Sequence, residues 1–215
     1  GATENITFTG FTTANNNSID NATPASAVTA QTLTLVTDGA SDSIAIAANA
    51  TAQDIATSVN NNLSGISATA TTGARLTVGG TLDSSTGTYT LIINGVSLAS
   101  VDTDAATGDT AAEVAGLLVT AINTTLADSI GKTLTAVDNG DGSFDIIDAT
   151  GADIVISDFT ESDTSATLSV RALDATGALS GDNAVSVTKG QGTRVTGDVV
   201  FAVDDTTKSL SLIHI

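Results

Sequence analysis

The sequence predicts an α+β fold, predominantly β, built of antiparallel sheets and hairpins with one short amphipathic helix in each of two repeats. Three observations predict it. Two β-prone runs end in Asp-Gly or Asn-Gly, two capped apolar stripes follow them at similar spacing, and most other segments alternate apolar with Thr or Ser.

The first repeat opens with Thr32-Leu-Thr-Leu-Val-Thr-Asp-Gly39 and the second with Thr88-Tyr-Thr-Leu-Ile-Ile-Asn-Gly95. Setting Gly39 on Gly95 places Leu33 on Tyr89, Leu35 on Leu91 and Val36 on Ile92. Asp-Gly and Asn-Gly tolerate the positive φ angles of a tight hairpin turn, so each run is expected to fold back there.

Helix starts follow. Thr51-Ala-Gln-Asp54 and Thr110-Ala-Ala-Glu113 each set a hydroxyl at an N-cap and a carboxylate three residues on. Such a cap is worth ~1 kcal/mol and fixes where the helix begins. Behind the first lie Ile55, Val59 and Leu63; behind the second lie Val114, Leu117, Leu118, Ala121 and Ile122. Both sets form one apolar stripe on a helix of about three turns, too short to stand alone, so each is expected to lie on a sheet.

After the helix, the first copy reads as Ile66–Ala70, a Thr71-Thr-Gly73 turn and Leu76–Val78. The second reads as Leu134–Val137, the turn Asp138-Asn-Gly-Asp-Gly142, Phe144–Ile147 and Ile154–Ile156. The predicted unit is strand, turn, strand, helix, hairpin. Outside the repeats, Ile6 and Phe8 alternate with Thr7 and Thr9, and Val199, Phe201 and Val203 alternate with their neighbours. The latter run is expected to form a hairpin with Leu210–Ile213, and the strand near Ile6 to pair close by. Residues 12–30, with the one proline at Pro24, read as a long loop or irregular crossing. The expected organisation is module one at 31–80, module two at 81–160, and a β-rich subdomain joining 1–30 to 161–215.

Composition restricts function. A hydrophobic fraction of 41% supports a folded chain, yet aromatics are 3% and Trp and Met are absent, so Ala, Val, Ile and Leu must supply the core. A net charge of −18 with six Lys and Arg leaves no basic cluster for phosphates or an anionic membrane; neither nucleic acid nor membrane is an expected partner. Cysteine is absent, which removes disulfides, thiol nucleophiles and Cys-ligated metals. No signal-peptide pattern or run near the ~20 apolar residues of a membrane helix occurs. Gly1 reads as a residue left by a cloning tag, and the ending Leu212-Ile-His-Ile215 as a cut inside a larger protein.

The candidate chemistry is sparse. Neutral-pH acid–base catalysis calls for His or a shielded carboxylate, and the single histidine, His214, stands near the chain end with no patterned Ser, Asp or Cys partners. The loop Asp138-Asn-Gly-Asp-Gly-Ser-Phe-Asp145 clusters oxygens as calcium requires, but placing Gly142 at the sixth EF-hand position puts Val137 at the first, where an oxygen ligand belongs. A polar hairpin turn is the better account. Asp102, Asp104, Asp109 and Glu113 read as a solvated acidic stretch near a helix N-terminus, and Gly190-Gln-Gly192 lacks the strand–turn–helix setting of a phosphate loop. Asn-x-Ser/Thr sequons at Asn5, Asn16, Asn21, Asn49, Asn62 and Asn123 arise by chance in a chain so rich in these residues. No catalytic, cofactor-binding or metal residue is assigned, no cofactor is expected, and the chain is not expected to be an enzyme.

The two β-runs ending at glycine, the Thr-Ala-Glu helix start and the run Gly151-Ala-Asp-Ile-Val-Ile-Ser-Asp-Phe159 resemble the repeat in the central regions of bacterial flagellins and of the filament cap protein. The resemblance spans residues 31–159, about three fifths of the chain. It implies a β-rich outer domain of an extracellular flagellar filament, carried on terminal helical segments that build the tube and contact neighbouring copies. No heptad pattern for such segments is present, so this stretch alone is expected to be monomeric. The expected function is structural; the alternative is an extracellular binding module, either the cap protein's outer domain or an adhesin for a glycan or surface polymer.

Overall fold

A computed structural model describes residues 4–8, 13–14, 19–20, 26, 28–37, 40–82, 87–102, 110–129, 133–162 and 165–203. The order is β1 (Glu4–Phe8), β2 (Thr13–Ala14), β3 (Ile19–Asp20), β4 (Gln31–Thr37), β5 (Ala40–Ile46), α1 (Ala52–Asn62), β6 (Ile66–Thr81), β7 (Thr88–Ile93), β8 (Val96–Ser97) and β9 (Val101–Asp102). There follow α2 (Ala111–Ser129), β10 (Leu134–Asp138), β11 (Ser143–Asp148), β12 (Ile154–Glu161), β13 (Ser165–Leu173), β14 (Val185–Val187), β15 (Gln191–Thr196) and β16 (Asp198–Val203). The fold is α+β and mostly antiparallel β, with two helices among the described residues.

One sheet runs β1-β16-β6-β11-β10, with β13 also on β6 and β14 on β13. A second runs β2-β15-β12-β7-β8, with β3 on β15 and β9 on β7. The hairpin β4-β5 forms a two-stranded sheet of its own.

Two apolar cores result. The larger gathers Leu76 and Val78 of β6, Phe144 and Ile146 of β11, and Leu168 and Val170 of β13 against Leu91 and Ile93 of β7 and Ile154 and Ile156 of β12. Buried Val114, Leu118, Ile122 and Leu126 of α2 join it, and Leu117 and Ala121 are partly buried against it. The smaller core sets Ile55, Ala56 and Val59 of α1, with Leu63 just beyond, against Ile44 and Ile46, Ile66, Ala68 and Ala70, and Val199 and Phe201. Both helices thus bury the predicted stripes against sheets.

The caps form as the sequence indicates. Thr51 and Asp54 make a full capping box on α1, with the Asp54 amide donating to Thr51 Oγ1 at 3.1 Å and the Thr51 amide to Asp54 Oδ2 at 3.0 Å. At α2 the Glu113 amide donates to Thr110 Oγ1 at 3.2 Å. This helix has 19 residues, about five turns rather than three. Leu126 extends the buried stripe one turn, and Thr120 and Thr124 return their hydroxyls to the carbonyls of Gly116 and Thr120, so neither threonine breaks it.

The predicted Thr71-Thr-Gly73 turn does not exist. Residues 66–81 form one uninterrupted 16-residue strand, β6. Two β-branched threonines favour extended backbone, and Gly73 marks a close approach instead: a Cβ there would lie 2.9 Å from Leu173 Cβ on the neighbouring strand β13. In the second copy Gly140 and Gly142 adopt φ of +77° and +87°, and there the β10-β11 hairpin does turn. Asn94 and Gly95, at φ of +49° and +80°, likewise turn β7 into β8. Asp38 and Gly39 lie outside the described residues, though Thr37 pairs with Ala40 across them.

β1 pairs antiparallel with β16, Ile6 opposite Phe201, as expected of the strand near Ile6. Leu210–Ile213, the other arm of the predicted hairpin, lies outside the described residues. The stretch 12–30 is not loop throughout, since β2 and β3 each add two residues to the edge of β15.

Candidate functional site

The hairpin turn at 138–145 uses its polar groups internally. Asp138 Oδ1 accepts the Gly140 amide, Asp141 Oδ1 accepts the Ser143 amide and hydroxyl at 3.0 and 2.6 Å, and Asn139 Nδ2 donates to Ser143 Oγ at 3.0 Å. Asp145 takes a bidentate pair from Arg75 on β6, Nε to Oδ1 at 2.7 Å and Nη2 to Oδ2 at 2.8 Å. The hydrogen bonds from Ser143 hold the Asp141 carboxyl below its ordinary value. This is the polar turn the sequence indicated, and among the described residues no group of three His, Cys, Asp or Glu is placed to hold a metal ion.

The other candidates disperse. Asp102 Oδ1 accepts from Thr88 and Ser100, Glu113 lies in the first turn of α2, and Asp104 and Asp109 are outside the described residues. Gly190-Gln-Gly192 turns β14 into β15, with Gln191 Oε1 accepting the Thr188 amide and hydroxyl. His214 lies outside the described residues.

Two features were not foreseen. The first is a polar seam near the middle of β6, where the two cores meet. Asp198, 2% exposed, accepts the Ala175 amide on Oδ2 at 2.9 Å, while its Oδ1 has no partner. Asp153, 9% exposed, has Oδ2 3.6 Å from Arg194 Nε, too far for a hydrogen bond, and its Oδ1 is unpartnered. Thr72 and Thr196 bury hydroxyls there without partners in hydrogen-bonding geometry. Burial drives both carboxyls up to about 6; Arg194 partly offsets this for Asp153, and the Ala175 amide for Asp198. Nothing in the sequence marks Asp198, which stands between Gly197 and the apolar run that begins at Val199.

The second is an asparagine clamp that occurs twice. Asn60 of α1 reaches the next strand, Nδ2 donating to the Ala68 carbonyl at 2.8 Å and Oδ1 accepting the Ala68 amide at 2.7 Å. Asn123 of α2 does the same to Ala136 of β10, both bonds at 2.9 Å. Each asparagine follows a buried stripe residue, Val59 or Ile122, and each alanine is the third residue of its strand. The signal was present as Val-Asn and Ile-Asn before an alternating run, but the pairing across eight and thirteen residues is a tertiary fact. Asn123 also heads a sequon, and its amide nitrogen is engaged in this bond.

No family model and no curated protein matches the chain. Among the described residues no helix is long and apolar enough to cross a membrane.

Proposed function

We propose that this chain is the variable outer domain of a flagellin: a non-catalytic structural part of the bacterial flagellar filament, exposed on its extracellular surface. The observation that carries the reading is the repeated helix–strand unit. In each copy a threonine caps a helix, its apolar stripe meets a sheet, and an asparagine clamps the third residue of the following strand. That is the part of the chain whose motifs resemble the flagellin repeat.

Pairing of β1 with β16 adds support, because Glu4 opposite Val203 brings both sides of the body to one point, as an insert into a parent domain requires. Tyr89, Phe144, Phe159 and Phe201 are buried in the two cores, so these rings do not serve a sugar-stacking surface. The acidic balance of −18 suits a surface displayed in many copies.

Immunogold electron microscopy tests this on cells that make the parent protein, with antibodies raised against the 215-residue chain. Label along the whole filament is expected. Label confined to the tip would favour the cap protein instead, and label on the cell body with bare filaments would indicate an adhesin.

A further inference from the structure

The repeated clamp occupies a specific kind of place. Among the described residues β10 is the end strand of its sheet and pairs only with β11, and the first part of β6, Ile66–Thr71, pairs only with β16. In a strand the N–H and C=O of one residue point to the same edge. At Ala136 and Ala68 that edge carries no further strand among the described residues, and the asparagine amide meets both groups as a neighbouring strand would.

Open edges recruit further strands, and proteins commonly blunt them with lysine, proline or inward charge. This chain uses none of these here. Leu134-Thr-Ala-Val-Asp138 and Ile66-Ser-Ala-Thr-Ala70 hold no lysine, arginine or proline, and the one charge, Asp138, sits at the end of β10. Val137 on β10 is 54% exposed, which adds apolar surface beside the open edge.

We propose that Asn123 and Asn60 are edge blockers, and that the partner they exclude is a second copy of this chain adding the same strand antiparallel. A copy of β10 placed about a two-fold axis at Ala136 is self-complementary: Thr135 meets Val137, and Asp138 meets Leu134 rather than another Asp138. The net charge of −18 repels whole molecules at long range, but no like charges would face each other along this edge. The clamp supplies locally the protection that long-range charge cannot. This inference does not depend on the flagellar reading.

Sedimentation of the full chain over a concentration series tests it, together with hydrogen exchange at the Ala136 amide. Asn123→Ala should accelerate that exchange and raise the self-association constant about tenfold or more, because two backbone groups at the strand centre become free to pair. Adding Val137→Lys to Asn123→Ala should return association to the starting value while exchange stays fast. If Asn123→Ala does not fold by circular dichroism, Asn123→Gln replaces it, since the extra methylene moves the amide off register. Fast exchange with unchanged association, or exchange that does not change at all, would overturn the proposal.

Discussion

Asp198 is the residue whose chemistry departs most from what its sequence neighbours suggest. Its carboxyl is buried, one oxygen is unpartnered, and Asp174 and Asp182 add negative charge nearby, so its proton leaves only near pH 6. Asp153, facing Arg194 and Thr196 with Asp54 close by, titrates similarly. A raised carboxyl pKa means that the folded chain holds the proton more tightly than the unfolded one. Its contribution to stability is therefore complete below the ordinary 3.8 and is lost as pH rises through about 6. Asp141 and Asp174 work the other way: their turn hydrogen bonds lower the pKa, and their contribution is lost as pH falls below 3.8. Thermal stability should therefore peak near pH 4 and fall between about pH 4 and pH 6. Asp198→Asn keeps an acceptor for the Ala175 amide and removes the buried charge, so it should raise Tm by about 2–4 °C at neutral pH and flatten the fall between about pH 4 and pH 6. A scanning-calorimetry series in which Asp198→Asn melts lower than the unchanged chain at pH 7 would contradict this. None of it was legible in the sequence, because the burial of Asp198 depends on strands that only the fold brings together.

At the scale of elements, the helices were legible and one strand was not. Thr51 with Asp54, and Thr110 ahead of Glu113, are local signals, and the stripes behind them report a face that must be covered; both act within a few residues. The length of β6 depends instead on β13, β11 and β16, which arrive from more than sixty residues further along the chain. Thr71-Thr-Gly73 carries a glycine because Leu173 crosses there, a reason invisible without the partner strand. Gly197 is a second such crossing, since a methyl group on it would overlap the Thr72 hydroxyl and the Thr71 carbonyl. Gly197→Ala should cost about 3 kcal/mol, because backbone rather than a flexible side chain must yield. Gly181→Ala, where nothing stands within 4 Å, should stay within about 0.5 kcal/mol of the unchanged chain. Urea unfolding measures both, and equal losses would show that β6 and the segment joining β15 to β16 are not so tightly apposed.

For the whole molecule, β6 belongs to both cores: Ile66, Ala68 and Ala70 lie in the smaller, and Ala74, Leu76 and Val78 in the larger. Neither core can lose β6 without exposing the other, so the two should unfold together. Ile55→Ala in the smaller core and Leu76→Ala in the larger should each cost about 2–5 kcal/mol. In both variants the near-ultraviolet signal of Tyr89 and the far-ultraviolet signal of the backbone should move as one transition. An early, separate step in Ile55→Ala alone would mean that the cores are independent. Antiparallel pairing of β1 with β16 has a mechanical consequence of another kind. Opposed tension on Glu4 and Val203 would unzip that ladder rung by rung, whereas flow past a body tethered at both points would draw the two strands in the same direction and share the drag between them.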